Sequence, residues 1–203
     1  GGGSANASTT PNGEKNKNWG NWGRPEQENS TADENTASAK GLKAGTLLKI
    51  ENGSFTVDSS DDSIHANGDV EINGGSLQLA SGDDGVHADS SLFVNGGTLT
   101  VQKFYEGLEA GVLNLNGGIL SITASDDGLN AAGGKDGSAL NGRPGQNEFA
   151  ADESVALNIT GGYLFVNASG DGLDSNGNLT VTGGTVLVTG PEDNGNGALD
   201  YNG

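Results

Sequence analysis

The chain has 203 residues, of which 37 are Gly and none is Cys, and its formal net charge is −18. This charge and the absence of basic patches exclude a nucleic-acid-binding role, and no apolar run is long enough for a membrane-spanning helix. The absence of Cys gives no direct information on the redox compartment, but it suits an extracellular protein held together without disulfides. We expect the chain to be secreted or attached to the cell surface.

Residues 1–38 are rich in Gly, Ser, Asn, Thr, Glu and Lys and contain almost no aliphatic side chains. Such a segment buries too little apolar surface to offset the entropy of ordering, so we predict a flexible arm or linker. Trp19 and Trp22 interrupt this polar tract. They are interpreted as a cap over the end of the following domain, as a tethered pair that stacks on sugars, or as part of a disordered segment.

A repeat of about 22 residues fills the rest of the chain. Its copies begin 22, 22, 21, 44 and 22 residues apart, at Glu51, Asn73, Asn95, Asn116, Thr160 and Thr182. The double interval is explained by an insertion at residues 132–154. A fixed period of this length predicts a solenoid rather than a globular core.

Within each copy, apolar residues alternate with polar ones, as in Leu77/Leu79 and Leu92/Val94, with a short strand between them at 85–88. Three strands per copy, separated by Asn-Gly and Asp-Gly turns, predict a right-handed parallel β-helix over residues 39–203. The Gly-Gly pairs tolerate positive φ and shape one corner. A partial first coil begins at Lys40. Since Asn202-Gly203 resembles the opening of another turn, we expect the solenoid to continue beyond the chain end or to stack end to end.

Alignment of the copies places acidic residues in columns about 4.8 Å apart. The main column contains Asp62, Asp84, Glu106, Asp127, Asp171 and Asp193. The preceding column contains Asp61, Asp83, Tyr105, Asp126, Gly170 and Glu192. A third column, three residues after the main one, contains His65, His87, Glu109, Asn130 and Asp174.

Stacked carboxylates repel one another, and few Lys or Arg lie in the coils to balance them, so a bound metal is expected. Carboxylate, amide and carbonyl oxygens favour Ca²⁺, with its ligands shared between coils. The predicted ligands are Asp83, Asp84, Glu106 and Glu109; then Asp126 and Asp127 with the coils beside them; then Asp171 and Asp174; and also Asp61 and Asp62. The alternative is a ladder of Asp side chains that accept backbone N–H bonds, and both arrangements can occur in different coils.

The two histidines, His65 and His87, are less informative as metal ligands. They occupy the same column on consecutive coils, but no third soft ligand is in register with them. Surface roles, or roles behind the metal ligands, are therefore favoured over a zinc site.

The repeated NGGxLxhxxxxDDGhxA unit, with h an apolar residue, resembles the calcium-binding β-helical carbohydrate-binding proteins of anaerobic bacteria that degrade plant biomass. The resemblance covers roughly residues 40–203, and the copies at 51, 73 and 116 carry it best. Copies 95 and 160 depart from it at Tyr105-Glu106 and Gly170-Asp171. It implies a fold similar to that of β-helical polysaccharide lyases, and binding of cellulose and pectin-type acidic polysaccharides such as polygalacturonate.

These observations favour an extracellular, calcium-dependent polysaccharide-binding module without catalytic activity, in which Ca²⁺ bridges acidic protein and acidic sugar. Outward aromatic residues are the candidate sugar contacts: Tyr105, Phe104, Phe93, Tyr163 and Phe165. One alternative is a calcium-dependent pectate-type lyase, which needs a basic residue beside the metal, and Lys103, Lys135 or Arg143 would have to supply it. The other alternative is a structural or adhesive solenoid.

Overall fold

Parallel strands make up the part of the chain that is described in a computed structural model, namely residues 39–132, 152–191 and 194–203, without the side chains of Lys103 and Phe104. The predicted arm with Trp19 and Trp22, and residues 133–151 of the insertion, lie outside this part. The described residues contain no helix that is long and apolar enough to cross a membrane.

The described residues form seventeen strands. The first nine are β1 (Leu42–Ala44), β2 (Leu47–Ile50), β3 (Ser54–Asp58), β4 (Ile64–Ala66), β5 (Asp69–Ile72), β6 (Ser76–Ala80), β7 (Val86–Val94), β8 (Thr98–Phe104) and β9 (Leu108–Leu115). The remaining eight are β10 (Ile119–Ala124), β11 (Leu129–Ala131), β12 (Ala156–Ile159), β13 (Tyr163–Ala168), β14 (Leu173–Ser175), β15 (Asn178–Val181), β16 (Thr185–Thr189) and β17 (Leu199–Tyr201).

The strands stack coil upon coil into two parallel sheets, which confirms the predicted β-helix. A six-stranded sheet runs in the order β16-β13-β10-β8-β6-β3. An eleven-stranded sheet contains the short strands, in the order β1-β4-β7-β9-β11-β14-β17, together with β2, β5, β12 and β15. Thr98 pairs with Ile119, which pairs with Tyr163, so the register follows the predicted intervals of 21 and 44 residues.

Two coils depart from the prediction of three separate strands. In β7 and β9 the short strand continues into the next one, so that each is a single strand through the corner. The continuous ladder is made possible by a register shift: Ala88 pairs with Ala110, but Ser91 pairs with Val112. The two residues Asp89 and Ser90 therefore stand opposite the single residue Gly111, which is a β-bulge.

The core is a set of aliphatic columns inside the solenoid. Each inward position is repeated on the coil above, as in Leu77, Leu99 and Leu120, which are in register and buried. The buried apolar residues form one contiguous cluster along the stack. Burial of these columns is the main stabilising contribution, since each fully buried Leu or Ile contributes about 1.5–3 kcal/mol.

The corner before the six-stranded sheet is formed by the Gly-Gly pairs. The second Gly of each pair has a positive φ, as predicted: 98° at Gly75 and 91° at Gly97. A hydrogen-bonded ladder of side chains, which the sequence reasoning missed, runs along the same corner: Asn95 Nδ2 donates to Asn73 Oδ1 at 2.7 Å, and Asn116 Nδ2 donates to Asn95 Oδ1 at 2.8 Å. The recurrence of Asn before the Gly-Gly pairs is the sequence feature from which this ladder could have been predicted.

The Gly that follows the main acid of a coil allows the coils to approach closely. A Cβ on Gly107 would lie 2.3 Å from the carbonyl oxygen of Gly128 and 2.4 Å from Cγ2 of Ile122. We expect Gly107→Ala to lower the free energy of unfolding by about 3 kcal/mol, because backbone of the next coil must move. The measurement is urea denaturation.

Gly45→Ala is the matched control, since nothing lies within 4 Å of a Cβ at that position. It should change the free energy of unfolding by less than about 1 kcal/mol. Equal effects of the two substitutions would contradict the close approach of the coils at Gly107.

Candidate metal and carbohydrate site

The acidic residues lie at the corner between the six-stranded sheet and the short strands. The main column is formed as predicted from coil to coil, because the residues after its acids are joined by backbone bonds: Gly85 N–H donates to the Glu106 carbonyl, and Gly107 N–H donates to that of Asp127. The neighbouring column is also formed, since Tyr105 N–H donates to the Asp83 carbonyl and Asp126 N–H to that of Tyr105.

The last predicted members of the two columns, Asp193 and Glu192, lie outside the described residues. Among the described residues, Gly197 follows Asp171, because Gly172 N–H donates to the Gly197 carbonyl and Leu173 pairs with Leu199. The interval from Asp171 to Gly197 is 26 residues, so the last coil is longer than the others at this corner. The third column continues instead, with Asp174 in register with Asp200.

Several acids of the main column accept hydrogen bonds from backbone N–H groups. This is the arrangement predicted by the alternative to a metal site, a ladder of Asp side chains that accept backbone N–H bonds. Asp84 N–H donates to Asp62 Oδ1 at 3.1 Å, and Asp171 N–H donates to Asp127 Oδ1 at 2.7 Å. Gly197 N–H also donates to Asp171 Oδ1. The Asp side chain of one coil is therefore hydrogen-bonded to the backbone of the next coil. These bonds keep the carboxylates of the column in register.

The first position of the column is neutralised within the protein. Lys40 Nζ lies 2.5 Å from Asp62 Oδ2 and 3.3 Å from Asp61 Oδ1, and His65 Nδ1 lies 2.9 Å from Asp62 Oδ2. Burial favours the neutral form of Asp62, but the His65 hydrogen bond and the charges of Lys40 and His87 outweigh it and hold the pKa of Asp62 below its usual value. At this position the ion pair balances the carboxylate charge, which a bound metal was predicted to do.

The buried Lys40–Asp62 pair gives a stability prediction. The side chains are 7% and 1% exposed, so Lys40→Gln would leave a buried carboxylate without this cation. We expect the free energy of unfolding to fall by about 3 kcal/mol. Thermal denaturation measures it.

Lys49 provides the matched control, because its pairs with Glu51 and Glu71 are at the surface, with Lys49 45% exposed. Lys49→Gln should lower the stability far less than Lys40→Gln does, because water screens an exposed ion pair. If both substitutions had the same small effect, the buried pair would not be a stabilising feature of the first coil.

The two histidines are buried, so the predicted surface role is wrong. Their rings stack with centroids 4.9 Å apart and planes 10° apart. His87 Nδ1 lies 2.7 Å from Glu109 Oε2 and 3.3 Å from Asp84 Oδ2. Burial disfavours the charged imidazole, but hydrogen bonds with Asp84, Asp89 and Glu109 outweigh it and raise the pKa of His87. Burial and then the charge of Glu109 raise the pKa of Asp84.

The following coils hold two groups of carboxylates whose oxygens lie within 4.8 Å of one another. One group is Glu106, Asp126 and Asp127, and the other is Asp127, Asp171 and Asp174. Asp127 belongs to both. Burial and then the charge of Asp126 raise the pKa of Asp127 to about 8. Burial, followed by the charge of Glu109, likewise raises the pKa of Glu106 well above its usual value.

The donor atoms of these groups fit a hard divalent cation. The groups draw carboxylate oxygens from three coils, and Asn130 adds an amide whose Nδ2 donates to Glu106 Oε2 at 2.9 Å. The amide oxygen of Asn130 is buried and has no hydrogen-bond partner. Oxygen-only donors from carboxylates and amides are the ligands that Ca²⁺ prefers. The residues present thus fit a calcium ion without requiring one for the fold described.

The predicted ligands on neighbouring coils lie close together around Asp127. Asp126 and Asp127 lie with Glu106 of the preceding coil, and Asp127 also lies with Asp171 and Asp174 of the following coil. The two other groups with ligand atoms within 4.8 Å are Asp84, His87 and Glu109, and Asp61, Asp62 and Asp83. The first of these two is buried throughout, whereas Asp126, Asp127, Asp171 and Asp174 are half-buried and in contact with solvent.

The candidate aromatic contacts lie on three different parts of the surface. Tyr163 (43% exposed) and the half-buried Phe165 point outward from the six-stranded sheet. Phe93 is half-buried on the other sheet, between Glu71 and Asn114. The structure does not bring Phe93 together with the first two.

Two further apolar side chains, which the sequence reasoning missed, extend the patch around Tyr163. Ile119 is in register with Tyr163, Leu187 is in register with Phe165, and both are exposed. Both residues could have been found from the sequence, because each is an apolar residue at a strand position that the alternation predicts to face outward. Tyr105, half-buried, stands instead in the column between Asp83 and Asp126, beside the carboxylates.

Several candidates fall outside the described residues. Lys135 and Arg143 belong to residues 133–151, and only the backbone is described for Lys103 and Phe104. The predicted lyase bases and the contact assigned to Phe104 therefore stay predictions.

Comparison with known families bears on the carbohydrate prediction. Residues 2–85 match the model of a family described as carbohydrate-binding domain-containing protein. The match supports a carbohydrate-binding role. With the parallel solenoid, it confirms the resemblance to a β-helical carbohydrate-binding family in these two respects. No curated protein matches the chain, and no solved structure matches it.

Proposed function

We propose that the chain is a non-catalytic, calcium-dependent module that binds plant-type polysaccharides, with polygalacturonate and cellulose as its ligands, outside the cell. The observation that carries the proposal is Asp127, whose carboxylate is shared by two groups of acids on three coils. The pKa of Asp127 is raised because ionising its carboxyl group among buried acids costs free energy. A divalent cation would offset this cost. The family match supports the carbohydrate part.

The half-buried acids are the proposed calcium ligands that meet the sugar. Asp126, Asp127, Asp171 and Asp174 remain partly accessible, so a cation held by them has a side open to solvent. A uronate carboxylate would bind at this open side, which accounts for how a chain of net charge −18 could bind an acidic polymer. Neutral cellulose needs no such bridge.

Tyr105 and the patch around Tyr163 are the proposed sugar contacts. Tyr105 lies next to Asp126 in the corner column, where its ring would contact a sugar bound at the cation. Tyr163, Phe165, Ile119 and Leu187 form an outward apolar patch, which suits the apolar face of a pyranose ring. The two surfaces predict separable effects on the acidic and the neutral polymer.

The test is co-sedimentation with insoluble pectate and with cellulose, with Ca²⁺ or with chelator. We expect Asp127→Asn and Tyr105→Ala to weaken binding to pectate, and Tyr163→Ala to weaken binding to cellulose. Glu153→Gln, which removes one exposed charge, is the control and should bind as the unaltered chain does. Pectate binding that persists in chelator would contradict the calcium bridge.

The lyase alternative is tested with soluble polygalacturonate over a pH range that extends into the alkaline region. A lyase creates a C4–C5 double bond conjugated to the carboxylate, so its products absorb ultraviolet light. Constant absorbance and intact chains are expected. Rising absorbance that disappears in Lys103→Ala would establish a lyase, and the absence of binding to both polymers would favour a structural solenoid.

A further inference from the structure

The outer face of the six-stranded sheet is uncharged over most of its width, although the chain has a net charge of −18. In β6, β10, β13 and β16, and in β8 as far as Gln102, the outward positions hold Ser, Thr, Asn, Gln, Ala or an apolar residue of the patch around Tyr163. An exposed acid, Asp58, stands only on the first strand of the sheet, β3. A partner gains nothing from charge here, so the face suits a neutral molecule.

The exposed apolar side chains on this face are not a consequence of an open end of the stack. Ile119 (56% exposed) and Tyr163 (43%) lie on strands with a paired neighbour on each side: β10 pairs with β8 and β13, and β13 pairs with β10 and β16. Outside the patch, the exposed large apolar side chains of the described residues lie on the first and last coils: Leu47, Val181, Leu199 and Tyr201. A contiguous apolar patch within the stack marks a binding surface.

The face is a plane rather than a cleft. Its strands pair residue by residue, so that Ser76, Thr98, Ile119, Tyr163 and Thr185 form one column across the sheet. Between β6 and β16 the register shifts at a single point, at the far end of β10. The outward side chains of successive coils therefore stand in line, about 4.8 Å apart.

A flat face selects the physical form of a carbohydrate. Small soluble ligands bind in clefts that enclose most of their surface. A single chain on a plane keeps one side in water and still loses conformational freedom. In an insoluble glucan the chains are already ordered side by side, so binding orders them no further. Their ring faces can stack on Tyr163 and its apolar neighbours, while the surrounding Ser, Thr and Asn side chains can form hydrogen bonds with sugar hydroxyls.

We propose that the outer face of β6, β8, β10, β13 and β16 binds the flat surface of an insoluble neutral glucan, that it does so without calcium, and that it has no comparable affinity for soluble chains. The inference rests on the carbohydrate-binding role proposed above. It narrows the cellulose part of that role to one face of the solenoid and one physical form of the polymer.

Independence from calcium follows from the position of the patch. Tyr163 is the first residue of β13, whereas the corner that holds Asp171 follows the last residue, Ala168. At about 3.3 Å per residue, the two ends of this strand are roughly 17 Å apart. A cation among the acids around Asp127 therefore does not touch Tyr163, and its removal should leave binding at this face unchanged.

The test compares two forms of one polymer. The full chain is mixed with microcrystalline cellulose, with Ca²⁺ or with chelator, and the bound fraction is measured by depletion from solution. Calorimetric titration with soluble cellohexaose measures binding to single chains. We expect saturable binding to the crystals, equal in the two buffers, and no detectable binding of cellohexaose.

A matched pair of substitutions locates the site. Thr185 is exposed and in register with Tyr163, whereas Thr180 is exposed at an outward position of β15 on the other sheet. Thr185→Asp brings a charge against a neutral surface and should lower the affinity for crystalline cellulose by more than about tenfold. Ile119→Ser, which removes apolar contact, should also lower it. Thr180→Asp should bind as the unaltered chain does, and equal Tm values would show that all three variants fold.

Several results would overturn the inference: equal effects of Thr185→Asp and Thr180→Asp, loss of cellulose binding in chelator, or binding of cellohexaose as tight as that of the crystals. Self-association that Thr185→Asp abolishes, measured by analytical ultracentrifugation, would assign the face to a second copy instead. Calcium-dependent binding to pectate without binding to cellulose would refute this inference alone. Absence of binding to both polymers would contradict the proposed function as well.

Discussion

In calcium-depleted buffer at pH 7, Asp127→Asn is expected to stabilise the folded chain, whereas in saturating Ca²⁺ the same substitution is expected to destabilise it relative to the unaltered chain. Without the ion, the raised pKa of about 8 means that folding forces Asp127 to take up a proton. Asn is neutral, has a similar shape and can still accept the N–H of Asp171. Relief of this cost at pH 7 amounts to about 4 kcal/mol at most.

With Ca²⁺ the sign changes, because Asp127 belongs to both groups of carboxylates. Each ion present at about 1000 times its dissociation constant contributes about 4 kcal/mol to the folded state. For a chain of this size, that corresponds to a rise of about 10 °C in Tm. The unaltered chain should therefore melt many degrees higher with Ca²⁺ than without it, and Asp127→Asn should lose most of that increase.

Differential scanning calorimetry in the two buffers measures both effects, and calorimetric titration counts the ions. Asp127→Asn should reduce the number of bound Ca²⁺ by more than Asp174→Asn, which belongs to one group only. Glu153→Gln should resemble the unaltered chain in both buffers. If Ca²⁺ raised the Tm of Asp127→Asn as much as that of the unaltered chain, the shared ligand would be disproved.

The fold could be predicted from the sequence because its determinants repeat. Alternating aliphatic residues, the Gly-Gly pairs and the Gly after each main acid recur at one interval, and every recurrence fixes the register of one more coil. The repeat is less informative where the interval changes. At the corner of the last coil the interval from Asp171 is 26 residues, so Gly197, which the alignment of the copies does not place in the main column, follows Asp171.

The chemistry of the acid columns was less predictable, since alignment gives the position of a side chain and not its direction. His65 and His87 occupy outward positions of short strands, which suggested exposure. The carboxylates of neighbouring columns and the bulge at Asp89 cover them instead. Likewise, only the structure shows that the Lys40 side chain forms an ion pair with Asp62 of the next coil. Contacts between columns depend on rotamers, for which the repeat provides no signal.

The stabilisation by Ca²⁺ is expected to increase as pH rises from 5 to 8. Folding without the ion raises the pKa of Glu106 and Asp127, as well as that of Asp84. In this range the unfolded carboxylates are ionised, while folded Asp127, with its pKa of about 8, is largely protonated. Stability therefore falls as pH rises, by about 1.4 kcal/mol per pH unit for this group. The raised pKa values of Glu106 and Asp84 act in the same direction. The raised pKa of His87 acts in the same direction: its contribution is lost as pH rises through the folded-state value.

Asp62, with a lowered pKa, loses its contribution only as pH falls below the usual Asp range, so it does not alter this trend. When Ca²⁺ saturates the groups around Asp127, Glu106 and Asp127 are ionised in both folded and unfolded states, and their part of the pH dependence disappears. The stability curves with and without Ca²⁺ should therefore diverge towards pH 8. Urea denaturation in resin-treated, calcium-free buffer gives the lower curve.

The same linkage requires Ca²⁺ binding to release protons, which calorimetric titration in buffers of different ionisation enthalpy counts directly. At pH 6, where a carboxylate of pKa about 8 is protonated in the folded chain, close to one proton should leave Asp127 when the ion binds. Asp127→Asn should release fewer protons, and Glu153→Gln the same number as the unaltered chain. Parallel stability curves, or Ca²⁺ binding without proton release, would show that the ion does not bind at these carboxylates.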